Sequence, residues 1–404
     1  MHQAAQRNFD YSAEQLICEF HAIAMRDRMR RFIVSGTEQM EYVHEIDYLR
    51  GVSIIGVLLI HVVSEIIWTG RGTPANANYA MFWNQWSRFC VPIFIFMSGL
   101  LLTYRYELRG FQYYRYVKRR WVDLFVPYMF WTLLSILNLH KWGYINPGWI
   151  RDVVFTGRGY YFQLYFIPLI FQFHLLSPIW LYLSSNRRIR AFALLAVIFN
   201  VCYLGYYELI FLKILPESSF SRMIFTNIQG RFPAWIGYFA LGCLVGKNLG
   251  AFREWVKRQS WWSLGAFYAI SLGLLFWDYH YSVLVTKDLM NPGENFMRPV
   301  VFLYSVAAIP LFWKMASVHQ ARLLRSIGDL SFGIYFVHLT IRNLTKEVAE
   351  SLLYSNWIGG TLAFVLVLAL SYGFVWLLSR DEDGWVIVGK TSSGKRRLSA
   401  TRPQ

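Results

Sequence analysis

Charge is scarce in this chain. Only 16% of its residues are Asp, Glu, Lys or Arg, while 55% are hydrophobic. That balance excludes an ordinary soluble domain of 404 residues. Acidic residues are the scarcer sign, 24 against 40 basic, which leaves a formal net charge of +16. Cysteine is rarer still: Cys18, Cys90, Cys202 and Cys243 are all there is, with no C-x-x-C and no Cys/His metal spacing. A disulfide framework and a structural zinc site are thereby excluded, and no bound metal is expected. A cleavable leader is also missing from the visible pattern, because no apolar run follows Arg26, Arg28, Arg30 and Arg31.

What the chain has in abundance is apolar and aromatic sequence, 19% of it Phe, Trp or Tyr. Mean hydropathy is +0.31. Ten apolar windows lie near 51–68, 81–104, 121–140, 160–183, 191–211, 231–249, 261–279, 297–318, 329–344 and 357–379, the ninth being short. The expected fold is therefore all-α: a polytopic membrane protein of about ten transmembrane helices. The basic residues favour membrane topology over a nucleic-acid partner. With a cytoplasmic N-terminus, the inside loops hold fifteen Lys and Arg and the outside loops eight. The basic tail after Arg380 then falls inside as well, so both termini are expected in the cytoplasm, against anionic lipid.

Three segments follow. Residues 1–39 are polar and precede Met40, and read as an extension outside the fold, either a start assigned too early or a short amphipathic surface segment. Residues 40–380 form the membrane domain. Residues 381–404 are a basic cytoplasmic tail, Ser-rich towards its end.

Ionisable groups inside apolar windows are costly and usually face an internal cavity, so each is a functional candidate. The sharpest pattern is Glu45-Ile46-Asp47-Tyr48-Leu49-Arg50, ten further residues, then His61. Eleven residues at about 100° each fall within roughly 20° of three full turns, so Arg50 and His61 share a helix face, about 16 Å apart along the axis. Glu65, four residues on, shares that face and would orient the imidazole as a general base. The plain alternatives are a histidine bonded to a neighbouring helix and a glutamate ending the span. Asp47 and Arg50 form either an ordinary pair at a helix start or part of a phosphate site. The segment 113–120 carries Arg115, Lys118, Arg119 and Arg120 among Tyr113, Tyr114 and Tyr116. Read as a cytoplasmic loop, it suits a nucleotide diphosphate, or simply anionic lipid. Arg88, Arg231 and His338 lie at or within later windows and are candidates for an acceptor side. Snorkelling, headgroup contact and a satisfied core histidine are their respective bland readings. Gly99 and the set Gly237, Gly242 and Gly246 read as helix packing.

Taken in order, Ile46-Asp47-Tyr48-Leu49-Arg50-(x10)-His61, the Val91–Gly99 run, the basic segment before Pro127-Tyr128, Tyr165-Phe166-Ile167-Pro168, Arg231-Phe232-Pro233 and Ser331-Phe332-Gly333-Ile334-Tyr335…His338 resemble the bacterial acyltransferase 3 family over roughly residues 44–379. The resemblance implies transfer of an acyl group, often acetyl, from acyl-CoA to a sugar hydroxyl of a cell-surface glycan or glycolipid. It implies His61 as the catalytic residue and Arg50 as a donor-side partner, with no resident cofactor. One position departs from it: Asp123 stands where family members carry a second arginine. Two other classes remain in view, an exporter or flippase of a lipid-linked glycan and a membrane scaffold. A transporter usually shows repeat symmetry, and none is visible here.

Overall fold

The computed structural model describes residues 42–68, 74–140, 147–157, 161–287, 296–319, 321–347, 356–381 and 383–389. Nearly all of the 1–39 extension's and the final tail's expected features lie outside those residues. Every regular element among them is helical, and the described residues from His44 onward make one compact unit.

The central element is α1 (His44–Trp68). Glu45 and Asp47 sit in its first turn, where the helix dipole favours negative charge. It runs unbroken through Arg50 and His61, so the shared face read from the spacing is present in the fold. The chain then folds through α2 (Pro74–Trp86), a 3₁₀ turn at Ser87–Phe89, and α3 (Cys90–Arg105). Next come α4 (Tyr113–His140), α5 (Pro147–Thr156), a 3₁₀ turn at Phe162–Tyr165, α6 (Phe166–Leu175) and α7 (Ser177–Leu183). They are followed by α8 (Ile189–Phe211), α9 (Ser219–Phe225), 3₁₀ turns at Ile228–Gly230 and Phe232–Trp235, α10 (Ile236–Lys247) and α11 (Leu249–Arg258). The last group is α12 (Trp261–Thr286), α13 (Pro299–Val318), α14 (Arg322–Asp329), α15 (Ser331–Leu344), α16 (Trp357–Leu378) and the short α17 (Trp385–Val388). Around α1 pack α2, α3, α13, α14, α15 and α16.

Each of the ten apolar windows contains helix, but the helices do not make ten uniform spans. Among the described residues, five are long and apolar enough to cross a membrane, or up to seven if each bent pair is one span. The fourth window is broken at Leu176 with a 57° bend. Pro178 supplies no N–H there and crowds the preceding turn, and at the bend the indole of Trp180 donates to the Phe173 carbonyl at 3.0 Å. In the sixth and ninth windows α10 and α15 are only 12 and 14 residues long, short of the ~20 that a straight crossing needs. A second correction concerns the basic segment: residues 113–120 are the opening turns of α4, not a loop. No Gly or Pro follows Gly110 until Pro127, so nothing stops the helix from starting early.

Two close helix contacts set the scaffold. A Cβ at Gly328 would stand 1.9 Å from the Asp47 carbonyl, and one at Gly51 2.2 Å from that of Leu324. Backbone contact between α1 and α14 therefore holds the Asp47–Arg50 turn in place. Likewise α3 and α10 touch through Gly99, Gly242 and Gly246, where an added Cβ would meet carbonyl oxygens at 2.1, 2.0 and 2.3 Å. The Thr103 hydroxyl locks this pair by donating to the Cys243 carbonyl at 2.9 Å. Gly242→Val is expected to destabilise the protein by about 1–3 kcal/mol or more, since backbone cannot yield as a side chain does. Thermal unfolding in detergent checks this, and an unchanged midpoint would contradict the packing account.

At the α11–α12 corner, bent by 96°, the buried Lys314 ammonium donates to the carbonyls of Val256 at 3.4 Å and Lys257 at 3.2 Å, and to that of Gln259. A cation at a helix C-terminus satisfies the open carbonyls and the dipole together.

Candidate active site

His61 presents a partly exposed ring from an otherwise buried stretch of α1. Two rings close on it. Phe162, in the 3₁₀ turn before α6, meets it edge-on at 5.1 Å between centroids. His338 of α15 lies at the same centroid distance with the planes tilted by 33°. One turn further along α15, the Arg342 guanidinium donates to the His61 backbone carbonyl at 3.2 Å. The two histidines, far apart in sequence, thus form one centre, with Arg342 and Arg88 in electrostatic range of His61. The Glu65 side chain lies outside the described residues.

His338 is 1% exposed. Its Nδ1 sits 3.1 Å from the Ile334 carbonyl, which can only accept, so Nδ1 carries the proton. Its Nε2 is buried and has no hydrogen-bond partner among the described residues. Beside Phe162, the buried Gln163 carboxamide has neither its oxygen nor its nitrogen bonded among the described residues, while its backbone carbonyl accepts from the Tyr335 hydroxyl. Unbonded polar atoms in so dry a place are expensive to keep. Gln163 escaped the sequence reading because one amide in an aromatic stretch carries no pattern.

At the N-terminal end of α1 the second cluster is basic. Arg50 pairs with Asp47 at 3.4 Å, so the ordinary ion pair exists. It does not consume the charge of the region, because Arg105 feels Arg50, Arg119 and Arg120 as neighbours. Arg120 stacks over the Tyr116 ring at 5.4 Å, and the Tyr116 hydroxyl bonds His174 Nδ1 at 2.7 Å. Asp123 lies 3.8 Å from exposed Arg119. Lys118 is exposed on the same opening turns of α4. Arg105 joins this set only through tertiary structure. The turn is tethered by a bidentate contact of Arg253 to Glu45, both distances 3.0 Å.

At the other end of α1 a third cluster is buried. Ser64 accepts from the Asn84 amide at 3.0 Å. Asn84 in turn accepts from Gln85 at 3.2 Å and from Arg88. Arg88 is 1% exposed, and its guanidinium lies 4.5 Å from the centroid of the Phe296 ring. It is an internal group rather than one that snorkels to the surface. Arg298, wholly buried, donates to Gln85 at 2.5 Å and pairs with Asp278 at 2.8 Å. Buried Glu208 faces Asp278 and Arg298. Sequence reading passed over Arg298, Asp278 and Glu208, which stand at the edges of their windows and look like surface residues until the helices pack. Arg231 is not part of this cluster: it is exposed, and donates to the Met223 carbonyl at 3.1 Å.

Residues 43–380 match the family described as an acyltransferase domain. The chain belongs to that family. Among curated proteins it is similar to YfiQ of Bacillus subtilis (strain 168), provisionally named a membrane-bound acyltransferase, with 26% identity over 375 residues, 88% of this chain and 96% of that protein. No solved structure matches the chain. As a multi-pass membrane acyltransferase, the protein has a basic mouth at one end of α1 and an imidazole centre about 16 Å further along the same helix. Acyl transfer needs an anchor for the donor, a base for the attacking hydroxyl and a place that excludes water. Among the described residues, no three His, Cys, Asp or Glu side chains come together as a metal site.

Proposed function

We propose that this acyltransferase moves an acyl group, acetyl in the simplest case, from acyl-CoA to a sugar hydroxyl of a cell-surface polysaccharide or glycolipid. It does so in the bacterial cytoplasmic membrane, with ten crossings and both termini inside. The observation that supports this most is the common helix face of Arg50 and His61, with arginines gathered at the Arg50 end. The phosphates of CoA dock among Arg50, Arg119 and Arg120, with Lys118 alongside and Asp47 orienting Arg50. The pantetheine arm follows α1 to His61, which handles the proton of the attacking hydroxyl, with Glu65 four residues on in sequence as its partner carboxylate. The acceptor comes from the opposite side, past Arg88.

Membranes carrying the protein, supplied with radiolabelled acetyl-CoA and the cell's own glycan fraction, test the reading. Label in glycan supports it. No label, together with polysaccharide retained inside cells that lack the gene, points instead to an exporter. Arg50→Ala is expected to raise the KM for acetyl-CoA about tenfold or more, as loss of one charge-assisted phosphate contact implies, with little change at saturating donor. An unchanged KM removes Arg50 from the donor site.

A further inference from the structure

We propose that His338 is a second catalytic residue, the base that takes the proton from the acceptor hydroxyl, and that it works with His61 as a two-imidazole relay. The assignment rests on the acyl-transfer reading above and divides its proton work between two rings.

Three observations carry it. Its ring lies 5.1 Å from that of His61, centroid to centroid. The tautomer is fixed by the backbone: Nδ1 donates to the Ile334 carbonyl of its own helix, so the lone pair is on Nε2. That Nε2 is buried and unbonded among the described residues, on the side of the imidazole turned away from Ile334. A histidine present only for packing has no reason to keep its basic nitrogen unsatisfied in a dry interior. A base awaiting a hydroxyl does.

The chemistry balances without any further reagent. The hydroxyl proton passes to Nε2 of His338 as the oxygen forms its bond to the acyl carbon. The carbon–sulfur bond to CoA breaks. His338 passes the proton it has taken to His61, and the His61 imidazolium gives a proton to the departing thiolate. Both imidazoles end neutral, and the products are the ester and free CoA. Two rings suit the geometry because donor and acceptor reach the centre from opposite ends of α1.

The test uses His338→Gln and His338→Ala in the full chain, in membranes, with radiolabelled acetyl-CoA and the glycan fraction. Loss of a general base predicts a fall in transfer of about 10²-fold or more at unchanged protein abundance. Added imidazole should restore activity to His338→Ala, and substituted imidazoles should restore it in order of their basicity. Transfer by His338→Gln within about threefold of wild type overturns the assignment. So does a loss that imidazole does not reverse, since a purely structural histidine behaves that way. Failure of the wild type to label glycan at all overturns the acyl-transfer reading and this assignment with it. That result is distinct from a fault confined to the His338 variants.

Discussion

His61→Ala is expected to reduce acetyl transfer by about 10²–10⁴-fold while leaving the protein in the membrane at its normal level. The ring is partly exposed, so its removal opens little of the packed core. The contacts that hold α1 against α15 at this height include the Arg342 bond to the His61 carbonyl, which the substitution keeps. Activity is therefore expected to fall without a matching fall in stability. His61→Gln should behave alike, because an amide fills the space but cannot carry the proton. The measurement is initial transfer rate against abundance in the same membranes. Wild-type rates in either variant would sink the catalytic assignment.

Arg298→Met is expected to cost stability instead, by about 3–5 kcal/mol, the usual effect of removing one partner from a buried ion pair. Arg298 is wholly buried, 2.8 Å from Asp278 and within electrostatic range of Glu208. Without the guanidinium, the Asp278 carboxylate loses its cation beside the buried Glu208 carboxyl, in surroundings that penalise bare charge. The pair Arg298→Met with Asp278→Leu should recover most of the loss, because it removes the stranded charge as well. Thermal unfolding of the detergent-solubilised protein checks both. A shift below ~1 kcal/mol for the single variant would mean that the pair is effectively solvated.

Helix count and site geometry differ in how local their causes are. Apolar windows, turn residues and breaks act within about 20 residues, which is why each window proved to hold helix. The exceptions have local causes that the window average hides. Pro178 breaks the fourth window, and the absence of a stop signal after Gly110 turns an expected loop into the start of α4. Likewise Gly99, Gly242 and Gly246 were legible as packing positions because small residues at helical spacing mean the same thing wherever they occur. Which helices they join was not.

What the order of residues alone determined was the axis of the protein. An α-helix repeats every 3.6 residues, so Arg50 and His61 had to share a face, and the family resemblance carried by the same residues gave that face a chemistry. The partners across helices were decided only by tertiary structure. His338 met His61, Arg105 joined the basic mouth, and Arg298 found Asp278 and Gln85. Those meetings depend on which faces pack and at what height. Backbone contacts such as Gly51 against Leu324 and Gly328 against Asp47 set them, between residues hundreds of positions apart.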